Sequence, residues 1–269
     1  MTTQWIIDVM EEWAPTKWAV ASDNVGLLIG DRARQLKRVL TALDVTENVL
    51  REAVQGRFDV IVSHHPLISR HVQPINQITA DSTLGKKIMT LIGNGISLYC
   101  AHTNLDAAPG GVNDLLFDIF GLTNKEMLVD YTETPSMGQI GYLPQPLKLS
   151  ELASHICKVL SLESIRYAGD FDKMIHKVGF AGGNGTASVN DALEKKCDVY
   201  ITGDVGHHLA IDVIEAGMAI IDGTHFSTEV PVAQAIANRL TKAAEAQGYS
   251  IVVEQSKSES KVFKTTYGD

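Results

Sequence analysis

The chain has 269 residues, 45% of them hydrophobic and 20% charged, the balance of a globular protein with room for one large or two modest α/β domains. A formal net charge of -9 with no basic run argues against general DNA or RNA binding, which rests on clustered Lys and Arg. Residues 1–13 mix Asp8, Glu11 and Glu12 among apolar positions, unlike a secretory leader, and no stretch nears the about 20 apolar residues of a membrane span. Cys100, Cys157 and Cys197 are widely spaced and form no paired framework, so the expectation is a cytoplasmic protein whose thiols fill core volume.

In chain order, a helix is expected at 4–12, a strand at 39–43, a helix at 46–55, a strand at 60–62, a helix at 82–94, a strand at 96–99 and a helix at 111–120. A proline-bounded strand at 137–143 follows, then a helix at 150–160, a strand at 178–181, a helix at 189–195, strands at 199–201 and 219–221, a helix at 231–247 and a strand at 251–253. Thr46 and Ser150 are the expected N-caps, because a side-chain oxygen can accept from an unpaired amide of the first turn. The alternation predicts α/β layers, and continuous Val- and Ile-rich runs suit strands covered on both faces. The run from Val39 to Ser63 is echoed without gaps from Val178 to Thr202, and 94–99 is echoed by 216–221. Two related α/β halves follow from that echo, with junctions expected at 132–136 and after His225.

Ligands in open α/β sheets gather beyond the carboxyl ends of strands, and here those ends are unusually polar. The 60–62 strand runs into Ser63-His64-His65-Pro66, where Pro66 favours a turn that lets both imidazoles serve one site, although a solvated or packed pair is the plain alternative. The 96–99 strand leads to His102 and Asp106, and the 219–221 strand to His225 and Glu229, four apart and on one face if helical. Asp106 can equally serve an Asx turn or cap, and His225 with Glu229 an ordinary ion pair. Besides His102, three strand ends thus supply three imidazoles and two carboxylates, a donor set suited to a two-metal hydrolytic centre. The turn from Gly182 to Ser188 can offer backbone amides to an anion or be simply a tight turn. Thr202-Gly203-Asp204 with His207 and His208 adds proton donors or acceptors, or local caps.

Taken together, Asp23-Asn24-Val25-Gly26-Leu27 with Gly30, Ser63-His64-His65-Pro66, His102 to Asp106, the turn at Gly182, Thr202-Gly203-Asp204 with His207 and His208, and His225 to Glu229 closely resemble the GTP cyclohydrolase 1 type 2 homologue family, also called the NGG-interacting-factor-three-like family. The match spans nearly the whole chain in its short form, since 121–177 is too short to hold the extra domain inserted in longer members. The resemblance implies two related α/β subdomains with mixed sheets flanked by helices, 1–128 plus 226–269 around 129–225, with a metal site in the cleft between them. It further implies His64, His65, Asp106, His225 and Glu229 as ligands of two divalent metal ions, with zinc, iron, manganese and nickel all compatible, and a toroidal homohexamer. The implied activity is hydrolytic opening of a purine nucleotide ring, GTP or a relative, by a metal-bound hydroxide, with His102 for proton transfer or as an orienting group. A metal carrier or regulatory scaffold without turnover uses the same ligands, and no membrane or DNA partner is expected.

Overall fold

A five-stranded and a six-stranded sheet organise the chain in a computed structural model that describes residues 1–69, 75, 77–129 and 137–266. Two compact units result, 1–109 with 232–260 and 110–231 with 261–269. These boundaries depart from the expected 128/129 and 225/226 divisions, because the segment after Pro109 already contributes a helix and a strand to the second unit. The expected junction at 132–136 lies outside the described residues.

In the first unit, α1 (Thr3–Trp13) precedes β1 (Gly26–Ile29), β2 (Arg38–Ala42), α2 (Glu47–Gln55), β3 (Val60–Ser63), α3 (Thr83–Gly93), β4 (Ser97–Cys100) and α4 (Thr103–Ala107). After the second unit the chain returns with α10 (Pro231–Ala246) and β11 (Val252–Gln255). The sheet order is β1-β4-β3-β2-β11, parallel except for β1. Both faces are covered. Leu40, Ile61 and Leu98 share a core with Val49, Leu50 and Ala53 of α2 and Leu91 of α3, while on β2 the Thr41 hydroxyl donates to the Ala233 carbonyl of α10 at 2.7 Å. This double burial is why β2 and β3 read as unbroken apolar runs rather than as alternating ones.

The second unit adds α5 (Val112–Ile119), β5 (Thr123–Met127), β6 (Gln139–Lys148), α6 (Leu149–Val159), β7 (Arg166–Ala168), β8 (Met174–Phe180), α7 (Val189–Glu194), β9 (Val199–Thr202), α8 (His207–Glu215), β10 (Ala219–Asp222) and α9 (His225–Glu229). Its order is β5-β6-β8-β9-β10-β7, with the parallel trio β8-β9-β10 bordered by antiparallel strands, so both sheets are mixed.

The echo in the sequence is a repeated supersecondary unit. β2, α2, β3, α3 and β4 correspond to β8, α7, β9, α8 and β10, and Val39 opposite Val60 matches Val178 opposite Val199. The fine detail repeats as well. Asp59 Oδ2 accepts from the amides of Lys37 and Arg38, as Asp198 Oδ2 does from His176 and Lys177. Arg57 and Lys196 both take positive φ at the ends of their helices, and Gly95 and Gly217 do so before the third strand. A left-handed residue there lets the chain stop a helix and turn at once into a strand.

Thr46 caps α2 as expected, its hydroxyl accepting from Val49 N at 3.2 Å. Ser150 does not cap α6. The helix starts one residue earlier, and Glu151 reaches back to accept from Lys148 N at 3.0 Å, which serves the first turn while Ser150 Oγ donates to the Phe171 carbonyl. Cys100 and Cys197 are buried free thiols, and burial pushes the Cys197 thiol up to about 11, as suits a small core side chain. No helix among the described residues is long and apolar enough to cross a membrane.

Candidate metal centre

In the first unit, the chain leaves β3 still paired to its neighbour. His64 N donates to the Ala42 carbonyl at 3.0 Å and His65 N to that of Leu43 at 2.8 Å, while Ser63 Oγ donates to the His65 carbonyl at 2.9 Å and shapes the turn into Pro66. From β4 the chain passes through Ala101 into His102, whose φ of -112° and ψ of -109° lie outside the helical region and start α4 abruptly. Asn104 fixes this corner, accepting from His102 N through Oδ1 and donating to the Ala14 carbonyl through Nδ2. The result is a cluster of three imidazoles. Ring centroids are 5.2 Å apart for His64 and His65, 5.2 Å for His64 and His102, and 5.5 Å for His65 and His102. One ring nitrogen from each lies within 4.8 Å of the others. Asp106, one turn into α4, brings Oδ1 to 3.4 Å from His64 Nε2.

Each ring is anchored from behind. His64 Nδ1 is 2.9 Å from the Ala101 carbonyl, His65 Nδ1 is 2.9 Å from Asp44 Oδ1, and His102 Nδ1 is 3.0 Å from both Asp23 oxygens. Asp23 is itself held by Thr103 Oγ1 at 2.6 Å and by the amides of Thr103 and Asn24. Burial alone would raise the Asp23 carboxyl, but the His102 hydrogen bond and charge with these further donors hold it well below the usual carboxylate range. Burial would likewise lower His102, and the Asp23 hydrogen bond with the Asp106 and Asp23 charges outweighs it, so the imidazole is raised.

The second unit provides a matching element. In both units the third parallel strand runs into a five-residue helix, α4 or α9, and each short helix carries a carboxylate of the expected set, Asp106 or Glu229. His225 Nδ1 is 2.7 Å from Asp204 Oδ2, and its Nε2 is 2.9 Å from Glu229 Oε2 one turn on. Asp204 and Thr224 both adopt positive φ, 55° and 62°, which for β-branched Thr is unusual enough to mark a constrained corner. Gly203 lets that corner close, since a Cβ there would sit 2.6 Å from His225 N.

The glycine-rich turn is a socket rather than an anion cradle. Its glycine amides are already used: Gly182 N donates to Asn113 Oδ1, Gly183 N to Thr228 Oγ1 and Gly185 N to Thr202 Oγ1. Gly183, at φ +57°, leaves the space that the Glu229 carboxylate fills. His207 and His208 are exposed at the start of α8, with ring centroids 5.3 Å apart.

Four imidazoles thus have Nδ1 engaged by a carbonyl or carboxylate, which sets the tautomer that presents Nε2 as a ligand nitrogen. This is the usual second layer of histidine metal ligands, and in each unit the imidazoles with the carboxylate of that unit are donors that fit a divalent transition metal. Asp44 was not anticipated from sequence, although it follows the 39–43 strand and strand ends had singled out every other candidate. An Asp44→Asn variant is expected to fold normally and to weaken metal binding by about 10–100-fold, the range for loss of an orienting partner. Competition against a metallochromic chelator measures it, and unchanged affinity would remove Asp44 from the site.

Residues 1–261 match the family described as Duf34/NIF3 (NGG1p interacting factor 3). The chain belongs to the Duf34/NIF3 family. A Clostridium perfringens relative named "GTP cyclohydrolase 1 type 2 homolog" is 36% identical over 255 residues, covering 94% of this chain and 96% of the relative. A Halalkalibacterium halodurans relative of the same name is 27% identical, covering 93% of this chain and 95% of its own. That alignment runs over 357 positions against the 269 residues here, so this NIF3 chain lacks an insertion that the relative carries. The solved structure of a "Bacillus cereus protein related to NIF3" is similar with a TM-score of 0.93 at 27% identity, covering 99% of both chains.

Proposed function

We propose that this NIF3-family chain is a metal-dependent hydrolase that opens the ring of a purine nucleotide, GTP or a relative. His64, His65, Asp106, His225 and Glu229 are proposed as the ligands of two divalent ions. The observation that carries this reading is the anchoring of His64, His65 and His225 through Nδ1, by Ala101, Asp44 and Asp204. Structural histidines have no need of three such matched supports. Bound divalent ions supply Lewis acidity and lower the pKa of water towards neutrality.

The chain's own groups divide the remaining work. With Nδ1 held by Asp23, His102 exposes Nε2 as the nitrogen that takes or returns a proton, and Asp23 stabilises the protonated ring. Asp44 and Asp204 keep His65 and His225 in orientation and raise their basicity as ligands. The names of the relatives support the substrate class. Self-association as a toroidal homohexamer and a cytoplasmic location belong to the same proposal.

The test is metal analysis of freshly purified protein, combined with a nucleotide screen that identifies products from metal-loaded, stripped and reloaded samples. About two metals per chain with metal-dependent ring opening is the expected result. Two metals with no turnover of any nucleotide would replace the hydrolase with a metal carrier or regulatory scaffold. Failure to retain or restore metal would overturn both readings.

A further inference from the structure

Within the first unit, a cavity of about 580 Å³ opens between α1, the segment leading into β1 and the floor formed by β4, a volume in the range of small-molecule sites. Ile7, Val20, Val25 and Leu27 give it apolar walls. At its floor lies Tyr99, fully buried, whose hydroxyl has no hydrogen-bond partner among the described residues. A buried hydroxyl left unsatisfied is costly, and a Phe would fill the same core space without that cost. A hydroxyl retained in this position therefore points to a partner that comes and goes with a ligand.

The charges lining the cavity are not equivalent, although acids and bases both contribute. The Glu11 carboxylate is occupied, accepting from Thr16 N at 3.0 Å and from Thr16 Oγ1 at 3.1 Å. Asp23 is more fully occupied, by His102, Thr103 and Asn24. The bases keep their donors. Arg32 spends one on Gln4 Oε1 at 3.2 Å, and Lys17 has no hydrogen-bond or ion-pair partner among the described residues. Both are exposed at the surface, where an incoming anion meets them first. Burial, and after it the Glu11 charge, push the Tyr99 phenol up, so it stays protonated and available as a donor.

We propose that this cavity binds a small organic anion, its apolar body against Ile7, Val20 and Leu27, its carboxylate or phosphate against Lys17 and Arg32, and Tyr99 donating from the floor. Three kinds of donor line the one cavity, and the nearby acids have their oxygens already taken. Arg32 can grip either anion through its planar fork. Binding here requires neither bound metal nor turnover, so its failure would leave the hydrolase reading untouched.

Titration calorimetry of the full-length protein, with its metal content determined, uses benzoate, phenyl phosphate and neutral benzamide as probes. At least one anion is expected to bind about tenfold or more tightly than benzamide, as a hydrogen bond to a charged group implies, and the preferred anion identifies the headgroup. Tyr99→Phe is expected to weaken that anion by about fivefold or more while the melting temperature holds or rises, because the unsatisfied hydroxyl is gone. Arg32→Gln, on an exposed side chain, should weaken the anion and leave benzamide unchanged. Anions that bind no better than benzamide, or affinities that survive both substitutions, would overturn the proposal.

Discussion

A His65→Ala variant is expected to lose metal and nucleotide turnover together while keeping its fold. The imidazole is 20% exposed and the strand pairing around it is made by backbone groups, so removing the ring leaves the ladder from His65 N to Leu43 intact. It deletes a proposed ligand outright and leaves Asp44 without the ring it orients. The drop in metal affinity should therefore exceed the about 10–100-fold that follows loss of an orienting partner alone. Equilibrium dialysis followed by elemental analysis reads the metal, and turnover of the best nucleotide from the screen reads the activity. His207→Ala, an exposed ring at the start of α8, is the matched comparison and should change neither. Full metal content and full turnover in His65→Ala would remove this residue from the centre.

Gly183→Ala should be the most damaging single-methyl change near the site. The residue sits at φ +57°, where an L side chain costs of order 1–3 kcal/mol, and its Cβ would collide with the Glu229 carboxylate. Glu229 is 4% exposed and cannot simply swing into solvent, so the clash must be relieved by moving the carboxylate away from His225 Nε2 or by shifting the turn. Both routes lower thermal stability and metal affinity together. Gly206→Ala is the control, because nothing lies within 4 Å of its added Cβ, and at this N-cap of α8 a change of no more than about 1 kcal/mol with unaltered metal affinity is expected. Thermal melts and the metal titration on both variants decide the matter. A Gly183→Ala protein that melts like the parent and keeps its metal would show that the socket does not constrain Glu229.

Much of this arrangement was legible in the residues themselves. The gapless echo between 39–63 and 178–202 predicted a repeated unit, and the two copies share register, helix-ending residues and the aspartate that fastens adjacent amides. Continuous apolar runs placed β2, β3, β4, β9, β10 and the C-terminal half of β8, because those segments are buried and apolar side chains dominate them. The edge strands of the second sheet, β5 and β7, escaped for the opposite reason. β5 is exposed throughout and β7 is only three residues long, so neither carries an apolar run to read, and pairing to a neighbour alone makes them strands. Helix α8 was missed because only Val213 on it is buried, too little to impose a helical period.

By itself, the sequence picked out the candidate ligand side chains, since histidines and carboxylates at the ends of apolar strands violate the pattern that the strands obey. Its ordered motifs likewise determined the family. Only the tertiary structure decided what holds those side chains in place. The carbonyl behind His64, the carboxylates behind His65, His102 and His225, and the absent Cβ beside Glu229 come from segments as far as 79 residues apart in the chain, and their meeting depends on sheet register and corner geometry. The cavity above Tyr99 is of the same kind: an apolar strand residue by sequence, it becomes an unsatisfied donor only once α1 and β1 close around it.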